Sequence, residues 1–235
     1  MRLNKYLSRS GVASRRKSDE LIRMAMATVN NEIILDPAFE VNKNDEIRFD
    51  GRLLKIDKEK IVIAFNKPKN VITSVYDPFN RKIVMDYIHH KKRLVPVGRL
   101  DKDSTGLLLL TNDGDLHHNL THPKNKVIRE YDVFIERAIK PKELNRIKKG
   151  ISIGEGEIGK AQVVNQKTNK ARVQVRLILM QGKKREIRRI FRTLKIKLYE
   201  LNRVSFAGVS INGLKQGEYR LLDKKEIYHL KLKFS

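Results

Sequence analysis

The sequence predicts an α+β protein in two parts. A small helical/β domain is expected over residues 1–57, and a larger domain with a mixed, largely antiparallel sheet and packed helices over 61–235. Three observations lead there. After residue 60, short strand-like runs (61–65, 94–97, 107–110, 131–135, 172–180 and 203–211) outnumber helical stretches, which fall near 115–121, 141–148 and 184–194. The connections between strands are short, which favours antiparallel pairing over a doubly wound parallel fold. Charge also divides the chain: residues 1–57 hold 11 basic and 9 acidic side chains, a net +2, whereas the remaining 178 hold 40 and 18, a net +22.

The small domain opens as helix, turn, helix. Leu3, Tyr6 and Leu7 share one helical face, and Gly11 breaks the run. Ser14 is suited to cap a second helix in which Leu21, Ile22 and Ala25 face inward. Arg15 and Arg16 then fall in its first turn, where basic side chains oppose the helix dipole. An incoming phosphate would remove that penalty by accepting from both the free N–H groups and the guanidinium; the alternative is a solvated charged face. Residues 1–23 carry 7 basic and 2 acidic groups, against 4 and 7 in 24–57, so the basic surface lies on these first helices. Thr28-Val29-Asn30, a turn at Asn30-Asn31, Ile33-Ile34 and a closing strand at 45–51 complete the domain, and residues 57–60 form the linker.

The large domain begins with the buried-strand pattern Ile61 to Phe65, running into Asn66-Lys67-Pro68-Lys69-Asn70. Its most informative stretch is Gly98-Arg99-Leu100-Asp101-Lys102-Asp103-Ser104-Thr105-Gly106, followed by the apolar strand Leu107 to Leu110 and the turn residues Asn112 to Gly114. Asp101 either caps this Ser-Thr-Gly turn or is a functional acid held rigidly beside the core. At the start of a later strand, Tyr131 offers a flat apolar face and a polar tip, suited to stacking on a base; it could equally be an ordinary strand-edge aromatic. Farther on, Ile187, Ile190, Phe191 and Leu194 make an apolar helical stripe. Arg185, Arg189 and Arg192 are expected to point away from it, toward solvent or phosphate. Arg188, on its flank, would be partly buried and need an anionic partner, for which Asp101 is a candidate. Lys183, Lys184 and Arg185, just after Gly182, are placed to meet a phosphate backbone.

Composition narrows the partner. Fifty-one Lys and Arg against 27 Asp and Glu give +24 and a pI near 10.2, a field that gathers polyanions. Nucleic acid is favoured over an anionic membrane, because no basic amphipathic helix carries bulky aromatic anchors. No signal-length or membrane-length apolar run occurs, so a cytoplasmic protein is expected. No heptads or obvious exposed apolar run argue against a monomer. The absence of cysteine excludes disulfides, thiolate zinc knuckles and thiol catalysis. His118 and His122 have metal-pair spacing, but Pro123 ends their helix and no third ligand is evident, so no metal is expected. Gly154-Glu155-Gly156-Glu157 places acids where a phosphate cradle would need none, and a glycine-rich nucleotide site of the S-adenosylmethionine methyltransferase kind is missing.

Two resemblances join these pieces. Arg2-Leu3-Asn4-Lys5-Tyr6-Leu7, Gly11-Val12-Ala13-Ser14-Arg15-Arg16 and Thr28-Val29-Asn30 resemble the small S-four-type RNA-binding domain. In such domains a glycine and a basic residue commonly precede the Thr-Val-Asn strand and a glycine follows it; Ala25, Met26 and Asn31 stand there instead. Together with Asn66-Lys67-Pro68, the Gly98–Gly106 string, Leu107–Leu110 and Thr111–Gly114, nearly the whole chain resembles the RsuA-type ribosomal pseudouridine synthases. Asn70 departs from the glycine usual after Asn-Lys-Pro.

The resemblance implies rRNA as partner, with the large subunit favoured, and chemistry without a cofactor. It implies that Asp101 is the catalytic aspartate, Tyr131 the active-site tyrosine and Arg188 the aspartate's basic partner. Leu201 would line the uracil pocket and Arg99 would lie near the displaced base stack. With Arg2, Lys5, Arg15, Arg16, Lys183, Lys184, Arg185 and Arg189, Arg99 makes up the expected RNA-binding set. A different reading is a non-catalytic rRNA-binding assembly factor, but a pure binder has no need of a carboxylate in a cationic cleft, where it repels phosphate.

Overall fold

The computed structural model describes residues 1–169, 172–232 and 234. Its chain separates into two compact units: residues 1–60 with 91–93, and residues 61–90 with 94–235. In the first, α1 (Leu3–Arg9) and α2 (Arg15–Arg23) are followed by β1 (Ala27–Val29), β2 (Glu32–Ile33), β3 (Ile47–Phe49) and β4 (Arg52–Leu53), in the sheet order β2-β1-β3-β4. Leu3, Leu7, Ile22, Ala27, Val29, Val41 and Ile47 form its core. The Ser14 hydroxyl accepts from the Lys17 N–H, so α2 starts where the cap was expected. Ala25, however, does not face inward. It is exposed, past the end of α2, with φ of +60°, because the chain must reverse there and no glycine is available to do it. Asn30 and Asn31 also take positive φ (+52° and +68°), joining β1 to β2 in a tight turn that asparagine tolerates. Lys92, from the 91–93 excursion, pairs with Asp57 at 2.7 Å and with Glu59.

The second unit runs β5 (Val62–Lys67), β6 (Val95–Pro96), β7 (Thr105–Thr111), α3 (Gly114–Thr121), β8 (Arg129–Ile135), α4 (Pro141–Lys149), β9 (Ile151–Ser152), β10 (Ile158–Gly159), β11 (Gln162–Asn169), β12 (Arg172–Leu179), α5 (Glu186–Thr193), β13 (Leu198–Phe206), β14 (Val209–Ser210), β15 (Tyr219–Leu221) and α6 (Lys224–Leu232). Nine strands form one sheet in the order β11-β12-β8-β13-β7-β5-β15, with β14 on β13 and β6 on β7. Every pairing is antiparallel except β13 with β7. The sheet is mixed and largely antiparallel, with helices on both faces, as the sequence predicts.

Alternation along β5 and β7 explains the two cores. Ile63, Phe65, Leu108 and Leu110 join a cluster with Val133, Val175, Ile147, Ile187, Ile190 and Phe191. Val62, Ala64, Leu107 and Leu109 join one with Leu116, Leu120, Phe206, Leu222 and Leu230. The expected strand at 203–211 is instead two strands, β13 and β14, reversed at Ala207 (φ +55°) and Gly208 (φ +87°). The expectations omit β4, β9, β10, β11, β15 and α6. Polar Gln162–Asn169 and short Tyr219–Leu221 lie at the two edges of the sheet, where apolar alternation is not required.

The parallel pair of β13 with β7 needs a glycine. Gly106 sits opposite Arg203 with φ of +105°; a Cβ there would stand 2.6 Å from the Arg203 nitrogen, and nearer still to Arg203 O and Asn202 Oδ1. Gly106→Ala is expected to lower stability by more than about 3 kcal/mol, since backbone strain and backbone collision coincide. Urea unfolding checks this; a loss under about 1 kcal/mol would mean β7 and β13 separate at little cost.

Candidate active site

The loop between β6 and β7 carries Asp101 and is fastened from beneath by Lys67, the last residue of β5. Lys67 is fully buried, and its Nζ donates to Pro68 O and Ser104 O at 2.8 Å each and to Lys102 O at 3.5 Å. Burial pulls its pKa down to about 8, against the opposing pull of Asp101 and Asp103. Nearby, the Asn70 N–H donates to Lys102 O at 2.9 Å; Asn70 has φ of +65°, so asparagine fills a glycine's conformational role. Thr73 Oγ1 donates to Leu100 O at 2.8 Å and accepts from the Leu100 N–H at 3.2 Å. Residues 100–104 are thus held from several sides, and the Asp101 backbone carbonyl accepts from the Ser104 N–H at 3.0 Å.

The Asp101 carboxylate, 34% exposed, faces two guanidiniums: Arg185 Nη1 at 3.6 Å and Arg188 Nε at 3.8 Å. The two differ in kind. Arg188 is 17% exposed and tied to the same loop, its Nη2 donating to Asp103 O at 3.2 Å and Ser104 Oγ at 3.3 Å. Burial, then the neighbouring Arg185, lower its pKa, while Asp101 and Asp103 oppose that. Arg185 is 45% exposed and held by no such bond to the loop; its backbone, just before α5, is left-handed at φ +51°. A residue expected to point toward solvent or phosphate therefore also shares the carboxylate.

Asp101 lies in a cleft of about 930 Å³. Tyr131 and Leu201, both buried, line it, as do exposed Arg99, Arg185 and Lys184, and half-buried Lys183. Lys183 Nζ donates to Ile158 O at 2.7 Å. Arg2, Lys5, Arg15 and Arg16 belong to the first unit; Arg2, Arg15 and Arg16 are exposed and Lys5 half-buried. The expectation for Arg189 is overturned. Its side chain turns inward, donating to Ile153 O at 2.9 Å and Gly154 O at 2.8 Å and pairing with Glu157, so it braces the Gly154–Glu157 turn instead of facing solvent or phosphate. The acidic turn that disqualified itself as a phosphate cradle is the reason: it supplies the anions that draw Arg189 in.

Sequence reasoning also left out residues the cleft uses. Lys67 stands in the Asn66-Lys67-Pro68 motif, and a lysine ending a strand buried along its whole length is a signal of a buried ammonium. Glu186, buried at the start of α5, accepts from the Lys160 and Lys183 N–H groups at 3.2 and 3.3 Å, fixing the loop before the helix; burial pushes its carboxyl up. Arg129 and Arg203 also line the cleft. Among the described residues, no cluster of three His, Asp or Glu side chains could hold a metal, and no helix is long and apolar enough to cross a membrane.

Residues 61–193, which include Asp101, Tyr131 and Arg188, match the family model described as RNA pseudouridylate synthase. The chain belongs to this family. Residues 1–47 match the S4 domain, so the enzyme is a pseudouridine synthase carrying an RNA-binding module. Among curated synthases, it is 34% identical over 235 residues to ribosomal large subunit pseudouridine synthase B of Bacillus subtilis, covering 98% of this chain and 95% of that one. It is 32% identical to the dual-specificity RNA pseudouridine synthase RluF of Escherichia coli K12, covering 98% and 78%. A solved pseudouridylate synthase structure superposes with a TM-score of 0.70 at 28% identity, over 98% of this chain and 99% of that one.

Lys67 gives this synthase a measurable pH signature. A buried ammonium with its folded pKa near 8, against about 10.4 unfolded, is a burden that is fully present below pH 8 and shed between pH 8 and 10.4. In that window the unfolded state binds more protons, so the sign is a gain in stability with rising pH. The stability difference between wild type and Lys67→Met should move toward the wild type by about 2–3 kcal/mol from pH 7 to 10. Denaturant titrations of both proteins check this; a constant difference would place the ammonium in a solvated site.

Proposed function

We propose that this synthase isomerises a specific uridine of ribosomal RNA, in the large subunit, with Asp101 as the catalytic aspartate. The observation that carries the reading is the Asp101 carboxylate, placed on a braced loop between two guanidiniums in a cleft also lined by Tyr131. The large-subunit assignment is supported by the relative from Bacillus subtilis, which matches this chain over nearly the full length of both.

The reaction is a rearrangement with no net change in atoms. The bond between the sugar carbon and N1 of uracil breaks, the base turns, a carbon–carbon bond forms through C5, the C5 proton leaves and N1 regains one. Before that, the nucleotide must leave its stack, at a cost on the order of a few kcal/mol, which contacts between basic side chains and phosphates can offset. Ionised Asp101 starts the reaction by attacking the sugar carbon or by removing a sugar proton. Arg188, tied to Asp103 and Ser104, keeps a positive charge beside the carboxylate in either route. Tyr131 supplies a flat platform for the base and a hydroxyl for proton transfer at C5, and Leu201 lines the uracil pocket. Arg99, Lys183 and Lys184 at the cleft meet phosphates, as do Arg2, Lys5, Arg15 and Arg16 in the S4 unit.

Carbodiimide modification and primer-stop mapping of rRNA treated with wild type or Asp101→Asn provides the test. A single new stop in large-subunit RNA, absent with the variant, is the expected result. A stop that persists with Asp101→Asn would overturn the catalytic assignment, and binding without any stop would favour an assembly factor.

The two guanidiniums should separate kinetically. Arg188→Gln is expected to lower kcat by about a hundredfold, because it removes a fixed charge from the reacting centre. Arg185→Gln should mainly raise KM, and reduce the salt slope of RNA affinity by about 1. Equal effects of both variants on kcat would sink this division of labour.

A further inference from the structure

Two guanidiniums line the cleft without a carboxylate partner among the described residues: Arg203 is buried and Arg129 half-buried. Arg129 begins β8 and Arg203 lies on the neighbouring β13; in that ladder Arg203 faces Tyr131, and Phe206 faces Arg129. Both cations lie against the one Phe206 ring, at 5.3 Å and 4.8 Å from its centroid. Their hydrogen bonds go to carbonyls alone. Arg129 Nη1 donates to Val127 O at 2.8 Å and Gln181 O at 3.3 Å, and Arg203 Nε to Leu107 O at 2.6 Å. Arg203, 2% exposed, has its Nη2 buried with no partner.

Among the described residues neither arginine forms an ion pair with a carboxylate, although a guanidinium offers five N–H donors and a buried one calls for an anion. The carboxylate nearest in effect to Arg129, Glu186, is committed to two backbone N–H groups. Burial first, and the charge of Arg203 after it, disfavour a protonated Arg129, against the opposing pull of Tyr131 and Glu186. Gly182 leaves Arg129 uncovered: a Cβ there would stand 3.5 Å from its Cζ and Nη2. Residues 129, 131, 182, 203 and 206 all line the cleft that holds Asp101.

We infer that Arg129 and Arg203 form a phosphate subsite in the wall of the cleft, which takes a backbone phosphodiester of the RNA next to the target nucleotide. The inference rests on the proposed reaction for the identity of that RNA, but not for the existence of the subsite. A phosphodiester satisfies what the pair lacks: one negative charge and two unesterified oxygens, enough to accept from Arg129 and from the idle Arg203 Nη2. Because Arg203 is the ladder neighbour of Tyr131, a phosphate held there would fix the backbone of a nucleotide whose base lies on the tyrosine. Removing the subsite should therefore affect the placing of the extruded nucleotide more than the general attraction of RNA.

Two measurements test this. The first is the melting temperature of the free protein in inorganic phosphate and in chloride at equal ionic strength. Phosphate should raise it by a few degrees more in wild type than in Arg129→Gln, with Arg129→Lys between them; identical shifts in all three would overturn the subsite. The second is a binding cycle in the Asp101→Asn background, using an RNA hairpin with a neutral methylphosphonate on either side of the target uridine. One of the two should weaken binding about tenfold with Arg129 present, and cost nothing further with Arg129→Gln. Equal losses in both proteins would overturn the RNA assignment, and would assign the subsite to a free phosphate if the thermal shift still depends on Arg129. A subsite seen thermally without any uridine isomerised would reject the proposed reaction and leave the subsite standing. Should Arg129→Gln fail to fold, Arg129→Lys carries both measurements.

Discussion

Much of the geometry of the Asp101 loop depends on one buried ammonium. Lys67 ends β5 with its side chain wholly enclosed, and an enclosed charge is tolerated only where polar groups surround it. Three backbone carbonyls do so, two of them from the loop that carries Asp101. The ammonium therefore acts as a peg around which residues 102–104 are wrapped, and the loop cannot drift without stranding a charge. Thr73 and Asn70 fasten the adjoining backbone with neutral bonds, so the lysine fixes position while they fix direction.

Above that peg the charges are graded by their freedom. Arg188 is tied to the loop and mostly enclosed, Arg185 is exposed and untied, and both come within 4 Å of one carboxylate. A bare carboxylate at the bottom of a cationic cleft would repel the phosphates that must pass it. Two guanidiniums mask it, the exposed one held by no hydrogen bond to the loop and the other fixed there. The strained backbone of Arg185 belongs to the same arrangement: a left-handed residue just before α5 aims a side chain back over the loop, which a regular first helical turn does not do.

Most of the architecture could be read from the residues, for reasons that differ along the chain. Leu107 to Leu110 is apolar on both faces because helices cover both faces, and a continuous apolar run says so directly. Gln162–Asn169 gave no such sign, since an edge strand needs hydrogen bonds on one side only and tolerates polar side chains. Among the site residues, Asp101, Tyr131 and Arg188 stand in stretches the sequence singles out, Leu201 follows from the resemblance alone, and the four meet in one cleft or beside it. Arg189 was misjudged because helical periodicity reports the angle of a side chain, not what waits at that angle: the turn at 154–157 lies 32 or more residues away and offers both carbonyls and carboxylates. Arg129 and Arg203 escaped for a similar reason, as nothing local distinguishes a strand arginine in contact with phenylalanine from one in water.

The parallel pairing of β13 with β7 also sets a timetable. β7 follows the Asp101 loop directly, yet one of its neighbours in the sheet, β13, lies close to a hundred residues downstream, with Thr105 reaching Asn202 across 97 positions. Contacts that distant close late, because the intervening chain must first surrender its freedom. During synthesis the aspartate, its lysine peg and the tyrosine all emerge before the strand that carries Leu201 and Arg203. A chain still attached to a ribosome thus presents a basic surface before it owns a finished pocket, and competence to act arrives only with β13.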